Sequence, residues 1–276
     1  MTQTLTLPNG WTEGPIPVDL VGVGGTGSEV LDGLVRMHHG LVGLGHRGLQ
    51  VRVFDGDTVS ASNIGRQRFG PRDVGQNKAV TLVTRYNLFF GLDWEGVPTM
   101  AEPETLDSWR TPTIPLVVTC VDRASFRVAL ADYWRDTGNH FGGRGTRLWL
   151  DMGNGQHRGQ VVLGHLLGTN GFGVPEPAPT LPNIVDLYPE MRGQPDDDAP
   201  SCSMAEALAF QDLWVNKYAS MGLSLIWNLI RDGSIDTHGM FFDSKAGSMQ
   251  PLPINPATWA MFGYAPQDRD AEDALQ

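Results

Sequence analysis

Four glycines, Gly22, Gly24, Gly25 and Gly27, interrupt the stretch VDLVGVGGTGSEVL where a β-branched apolar run gives way to helical apolar spacing. Glycines at such a turn let backbone N–H groups approach a phosphate without a Cβ in the way. The helix that follows aims the positive end of its dipole at the same point. A second apolar run, VRVFD, ends in Asp55, where a carboxylate can accept hydrogen bonds from ribose hydroxyls. Directly behind it, one segment crowds together Asp57, Ser62, Asn63, Arg66, Gln67, Arg68 and Lys78. A nucleotide site accounts for these residue types at this spacing.

The cations narrow the reading. A dinucleotide pyrophosphate carries roughly two charges and is usually held by backbone amides at the glycine turn. Arg66, Arg68 and Lys78 supply positive charge beyond that need, which suits a triphosphate whose leaving group must be stabilised. Asp122 closes the apolar run PLVVTCVD, at the end of a parallel strand where such sheets bind ligands. One carboxylate is enough for a magnesium ion when phosphate oxygens and water complete its shell. Cys202 precedes a helical run whose dipole would favour thiolate, whereas Cys120 lies mid-strand as a small hydrophobe.

The elements that must position these groups follow from periodicity. The first helix runs from the glycine turn to about His39, and KAVTLVTRYNLFF places Lys78 in the first turn of a second. WEGVPTM reads as a short strand, PETLDSW as a helix, PLVVTCVD as a buried parallel strand and RASFRVALADYWRDTG as the next helix. RLWLDMGN and GQVVLGHL are two more strands. A second G-x-G-x-x-G at Gly43, Gly45 and Gly48 follows a helix and precedes a strand, the reverse of a phosphate turn. Beyond the dense Pro, Gly and Asp of 168–201, a long amphipathic helix is expected from Ser203 to Gly233, with Glu206 completing a capping box. GMFFDSKAGSMQPLPI then reads as a hairpin. The expected fold is α/β: a Rossmann-like, doubly wound, mostly parallel sheet with a C-terminal antiparallel extension. Its parts are an arm at 1–17, a nucleotide-binding domain at 18–167, a crossover-type loop at 168–201, a helix and hairpin on the same domain at 202–264, and an acidic tail at 265–276.

The runs G-V-G-G-T-G-S, D-G-D-T-V-S-A-S-N-I-G-R-Q, V-G-Q-N-K and V-T-C-V-D at 118–122 resemble the signature of the ThiF/MoeB family, adenylating enzymes related to ubiquitin-activating enzymes. The likeness covers roughly residues 18 to 130. PSCSMAEALAFQDLWVNKYA at 200–219 is similar to the ThiF-type member of the PRTRC cassette. The resemblance implies ATP-dependent adenylation of the C-terminal carboxylate of a small ubiquitin-like or sulfur-carrier protein. It implies phosphate contacts from Arg66 and Lys78, magnesium on Asp122, and an acyl group passed to Cys202. It also implies a homodimer. Two departures stand out: the start of the chain lacks the family's R-Y-x-R-Q type helix, and two cysteines cannot supply its C-x-x-C zinc pairs, so no zinc is expected.

Composition bounds the alternatives. With 276 residues and 41% hydrophobic content the chain can build a sizeable core. A net charge of −11 argues against a nucleic-acid surface. No run approaches the ~18 apolar residues of a membrane span, and the start has no basic, apolar leader, so a cytoplasmic protein is expected. From the residues alone, blander readings remain open: an unliganded turn, solvated carboxylates at Asp55 and Asp57, surface ion pairs at Arg66 and Lys78, a helix-capping Asp122. A non-catalytic ATP-binding subunit and an NAD-dependent oxidoreductase are the competing functions.

Overall fold

The computed structural model of the protein describes residues 3–8, 10–109, 113–137, 147–166, 179–196 and 208–265. Along the chain run β1 (Leu5–Thr6), β2 (Ile16–Val21), α1 (Gly25–Gly43), β3 (Leu49–Phe54), α2 (Lys78–Phe90), β4 (Glu95–Val97), α3 (Pro103–Leu106), β5 (Leu116–Thr119) and α4 (Ala124–Thr137). They are followed by β6 (Arg147–Asn154), β7 (Arg158–Leu166), α5 (Ile184–Leu187), α6 (Val215–Ser220), α7 (Leu223–Asp232), β8 (Ser234–Ile235), β9 (Thr237–Asp243), β10 (Ser248–Pro253) and α8 (Pro256–Ala260).

Continuous apolar runs make strands buried on both faces, and Val18, Leu20, Val51, Val53, Val117, Val118 and Leu150 are all inaccessible. The eight-stranded sheet has the order β10-β9-β7-β6-β5-β2-β3-β4. Its β6-β5-β2-β3-β4 half is parallel, while β7, β9 and β10 join antiparallel. The doubly wound sheet with an antiparallel extension is therefore present. The direction of winding reverses between β2 and β5, and ligands bind such sheets outside the strand ends at that reversal. Charged pairs interrupt the apolar interior, among them Arg127 with Asp151 at 2.7 Å. Asp19 faces Arg52 across the β2–β3 register and takes it bidentately at 2.7 and 2.9 Å, with the Trp109 indole donating to the same carboxylate.

Several elements differ from the sequence reading. Residues 3–17 are no free arm: β1 pairs with β8, Trp11 is fully buried and donates to Ile114 O, and β2 already starts at Ile16. The strand expected to reach Asp122 stops at Thr119, with Cys120 N making the last rung of the β2–β5 ladder to Val21 O. Within 168–201, Asn183 caps α5 by accepting from the N–H groups of Val185 and Asp186, and a 3-10 turn spans Pro189–Gly193.

The single long helix is also broken. Ser203 and Glu206 lie outside the described residues, as does Cys202. Between α6 and α7 the chain tightens at Met221 and Gly222, where Gly222 N bonds Ala219 O and Ser224 N bonds Met221 O. Gly222 lies flat on β7, and a Cβ there would sit 2.5 Å from Val161 Cγ1. Both residues keep helical dihedrals, so apolar spacing alone does not reveal the break.

His238 on β9 is fully buried, donating from Nδ1 to Leu163 O at 2.8 Å and accepting at Nε2 from the Trp259 indole at 2.8 Å. Only the neutral ring satisfies both bonds, and burial pushes its pKa down to about 4. Between pH 6.5 and 4 the unfolded chain takes up a proton that the native ring refuses. This contribution is complete above pH 6.5 and is lost as pH falls toward 4, at most about 3 kcal/mol in all. Denaturant unfolding of the wild type should lose stability over that window more steeply than His238→Gln, which keeps a donor and an acceptor. Equal slopes would refute the assignment.

Candidate active site

At the C-terminal edge of β2 the chain must reverse into α1 within a few residues, and the glycines make this possible. Gly22 has φ +83°, and a Cβ there would meet Cys120 O at 2.9 Å. Gly27 presses its Cα on Gly22 O, where a Cβ would clash at 1.8 Å. Gly24, the N-cap of α1, brings no side chain to the helix end. Among the described residues no side-chain oxygen caps the first N–H groups of α1, which leaves them available to an anion.

Asp55 holds this turn in place. Its buried carboxylate accepts from Val23 N at 2.7 Å and from Asp57 N at 2.9 Å, tying the glycine turn to the loop after β3. Burial pushes its pKa up, against the pull of Lys78 and the two N–H groups. Each oxygen keeps acceptor capacity for a ribose hydroxyl. Asn77 fixes the same loop from α2 by donating to Asp55 O at 2.7 Å and to Asp57 O at 3.2 Å, while its Oδ1 caps Val80 N. Lys78, buried in the first turn of α2, places Nζ 2.9 Å from Asp57 Oδ2. That carboxylate is 54% exposed, so the ion pair is weak enough to exchange for a phosphate.

The S-N-I-G-R-Q stretch divides by role. Asn63 is buried and accepts from Ser60 N, and Ser62 shares a hydroxyl contact with Ser60 at 2.9 Å. These two shape the loop. Gln67 is buried with its Nε2 beside Gly24 and its Oε1 without a partner. Arg68 belongs elsewhere: its guanidinium binds Glu29 at 3.0 and 3.1 Å and approaches Asp32 at 3.4 Å. Its charge is spent on α1, so it drops out of the expected phosphate cluster.

Arg66 is the contrast. It is half-buried, burial lowers its pKa, and among the described residues it has no carboxylate partner. Its Nε is enclosed and unbonded, and its one polar contact is Nη1 to Gln211 Oε1 at 3.4 Å. A desolvated cation without a counter-ion is held at a cost that an anion would relieve.

Gln211 opens a network that the sequence reading missed. Its Nε2 donates to Asn154 Oδ1 at 2.9 Å. Asn154 Nδ2 in turn donates to Thr26 Oγ1 at 3.0 Å and Asn216 Oδ1 at 3.1 Å, and Thr26 Oγ1 donates to the same Oδ1 at 2.9 Å. Thus the end of β6, the segment before α6, and α6 itself close on the first turn of α1. Gln211 and Asn216 lie inside a run read only as an amphipathic helix. A polar amide on its buried face, at Asn216, was the available signal.

Asp122 stands exposed in the loop between β5 and α4, three residues past the strand. No group of three or more His, Cys, Asp or Glu side chains that could hold a metal occurs among the described residues. Cys120 is inert by environment, since burial and then Asp151 push its thiol up. A separate cavity of about 660 Å³ opens on the far flank of α1, walled by Met37, Met221, Leu223, Trp227, Met240 and Met249. It contains none of the glycine-turn residues, Arg66, Lys78 or Asp122.

The sequence model of the ThiF family matches residues 16–250. No curated protein matches the chain. Among solved structures, the chain is similar to PaaA, with a TM-score of 0.53 at 13% identity, covering 88% of this chain and 65% of that one. It is likewise similar to E. coli MccB with ATP, with a TM-score of 0.54 at 13% identity over 89% of this chain and 65% of MccB. E. coli MccB with AMPCPP and MccA gives 0.52 at 13% identity over 89% and 64%. The chain thus spans a little under two thirds of these relatives, and the likeness is one of fold. No described helix is long and apolar enough to cross a membrane.

The glycines are not equivalent. Gly27→Ala drives a methyl into Gly22 O and should cost about 3 kcal/mol or more, lowering the melting temperature by roughly 10 °C. Gly24→Ala meets only Gln67 Nε2 at 3.8 Å and should melt within roughly 2 °C of wild type. Thermal scans of the two variants compare them directly.

Proposed function

Because the chain belongs to the ThiF family, we propose that it activates a carboxylate by adenylation with ATP. The observation that carries this reading is Arg66, a half-buried cation with no acidic partner among the described residues, linked through Gln211 and Asn154 to Thr26 in the first turn of α1. The donor set suits a polyphosphate: uncapped α1 amides, the Gln67 amide beside Gly24, and Lys78 on an exchangeable ion pair.

In this reading a carboxylate oxygen of the acceptor attacks the α-phosphorus. The new O–P bond forms as the bond to the bridging oxygen breaks, and pyrophosphate leaves with the electron pair. Arg66 and Lys78 stabilise charge on the phosphates and the leaving group. Asp55 orients the ribose. Asp122 would hold a magnesium ion with phosphate oxygens and water filling its shell, and such an ion supplies charge neutralisation. The acceptor is the C-terminus of a small ubiquitin-like or sulfur-carrier protein. The Cys202 thiolate then attacks the acyl carbon of the adenylate, forming a thioester as the C–O bond to AMP breaks and AMP leaves, and a second copy of the chain completes a homodimer. The solved E. coli MccB structure with AMPCPP and MccA supports the reading that a protein of this fold can bind a nucleotide and a second molecule together.

ATP–pyrophosphate exchange with added carrier proteins, read alongside mass spectrometry for carrier adenylate, tests the proposal. Arg66→Ala should lower exchange by about 100-fold or more, while Arg68→Ala stays within a few-fold of wild type. Asp122→Ala should abolish exchange, and full retention removes Asp122 from the mechanism. ATP binding without exchange toward any carrier makes the protein a non-catalytic nucleotide-binding subunit instead.

A further inference from the structure

Asn216 is 2% exposed, yet half of its amide is unspent. Its Oδ1 accepts twice, from Thr26 Oγ1 and Asn154 Nδ2, which fixes the amide orientation. The other end, Nδ2, is buried and has no partner. A buried donor left unpaired costs about 1–3 kcal/mol, so its position calls for a reason.

Its surroundings supply one. A Cβ built on Gly25 would lie 2.6 Å from Nδ2. The Asn216 amide therefore packs directly on Gly25, in the first turn of α1. Gly25 is glycine because the Asn216 amide occupies the space a methyl would take. On the other side of the turn, Gln67 Nε2 flanks Gly24. The same network reaches Arg66 through Asn154 and Gln211.

We infer that Asn216 is an anion-binding residue: its Nδ2 donates to a phosphate oxygen of the nucleotide held over the N-terminus of α1. This rests on the nucleotide reading of the glycine turn and adds a donor from α6, far along the chain from the S-N-I-G-R-Q segment. Gln211 and Asn154 act as positioning residues that set Asn216 and Arg66 on the same ligand.

Calorimetric titration of the full chain with ATP and with adenosine separates the possibilities. Asn216→Asp is isosteric and keeps the Oδ1 that accepts from Thr26 and Asn154, but it places negative charge where the donor was. It should weaken ATP binding about 100-fold, Asn216→Ala should weaken it about 10-fold, and both should bind adenosine within roughly twofold of wild type. Unchanged ATP affinity in either folded variant overturns the inference. So does an equal loss of ATP and adenosine affinity, which marks a purely structural amide. If Asn216→Asp does not fold, Asn216→Ala decides by the same criteria. A wild type that binds no ATP sinks the nucleotide reading and this inference together. A wild type that binds ATP without pyrophosphate exchange sinks only the adenylation.

Discussion

One buried carboxylate holds the site together. Asp55 accepts from Val23 N and Asp57 N at once, so two loops that leave adjacent parallel strands are pinned to a single charge. Remove those bonds and the glycine turn is no longer registered against the loop that carries Asn63, Arg66 and Gln67. A buried anion with two backbone donors is stiff, because any loop movement leaves the carboxylate unsolvated and unpaired. Lys78 adds its charge nearby, and Asn77 locks the same stretch of backbone from α2. The geometry of the turn is thus fixed by the chain's own bonds, the kind of preorganisation that the proposed adenylation would draw on.

Around this point the molecule segregates its charges. Arg68, Arg52 and Arg127 each meet carboxylates, at Glu29, Asp19 and Asp151 respectively. Arg66 by contrast meets only a neutral amide among the described residues. On a chain with net charge −11, acidic groups are abundant, so an unneutralised guanidinium at the switch point concentrates positive potential where phosphates would lie.

Much of the fold was legible because its determinants are local. The run around Val18 and Leu20, the glycines, and the apolar spacing after Gly27 specify strand, turn and helix from neighbouring residues alone. The parallel order then follows from the alternation of strands and helices. Local signals failed where packing decided. Nothing near Met221 announces that Gly222 must lie on Val161, and nothing near Leu5 announces its pairing with Ile235. The site divides in the same way. Asp55, Asp57, Asn63, Arg66, Gln67 and Lys78 could be grouped because one short segment carries them. The role of Arg68 was misread because Glu29 and Asp32 lie on a helix some forty residues earlier. Asn154, Gln211 and Asn216 were invisible as a set, since only the folded sheet brings them to Thr26.

That long-range closure bears on how the protein is made. The glycine turn, Asp55 and Lys78 have all been synthesised once the first third of the chain has emerged, but Gln211 and Asn216 follow much later. At usual ribosomal speeds the delay is on the order of ten seconds. Throughout that interval the nascent chain displays Thr26 without its amide partners and Arg66 without Gln211. The network that ties Arg66 and Thr26 to Gln211 and Asn216 is therefore complete only after the last quarter of the polypeptide docks, and translation itself sets when that closure can form.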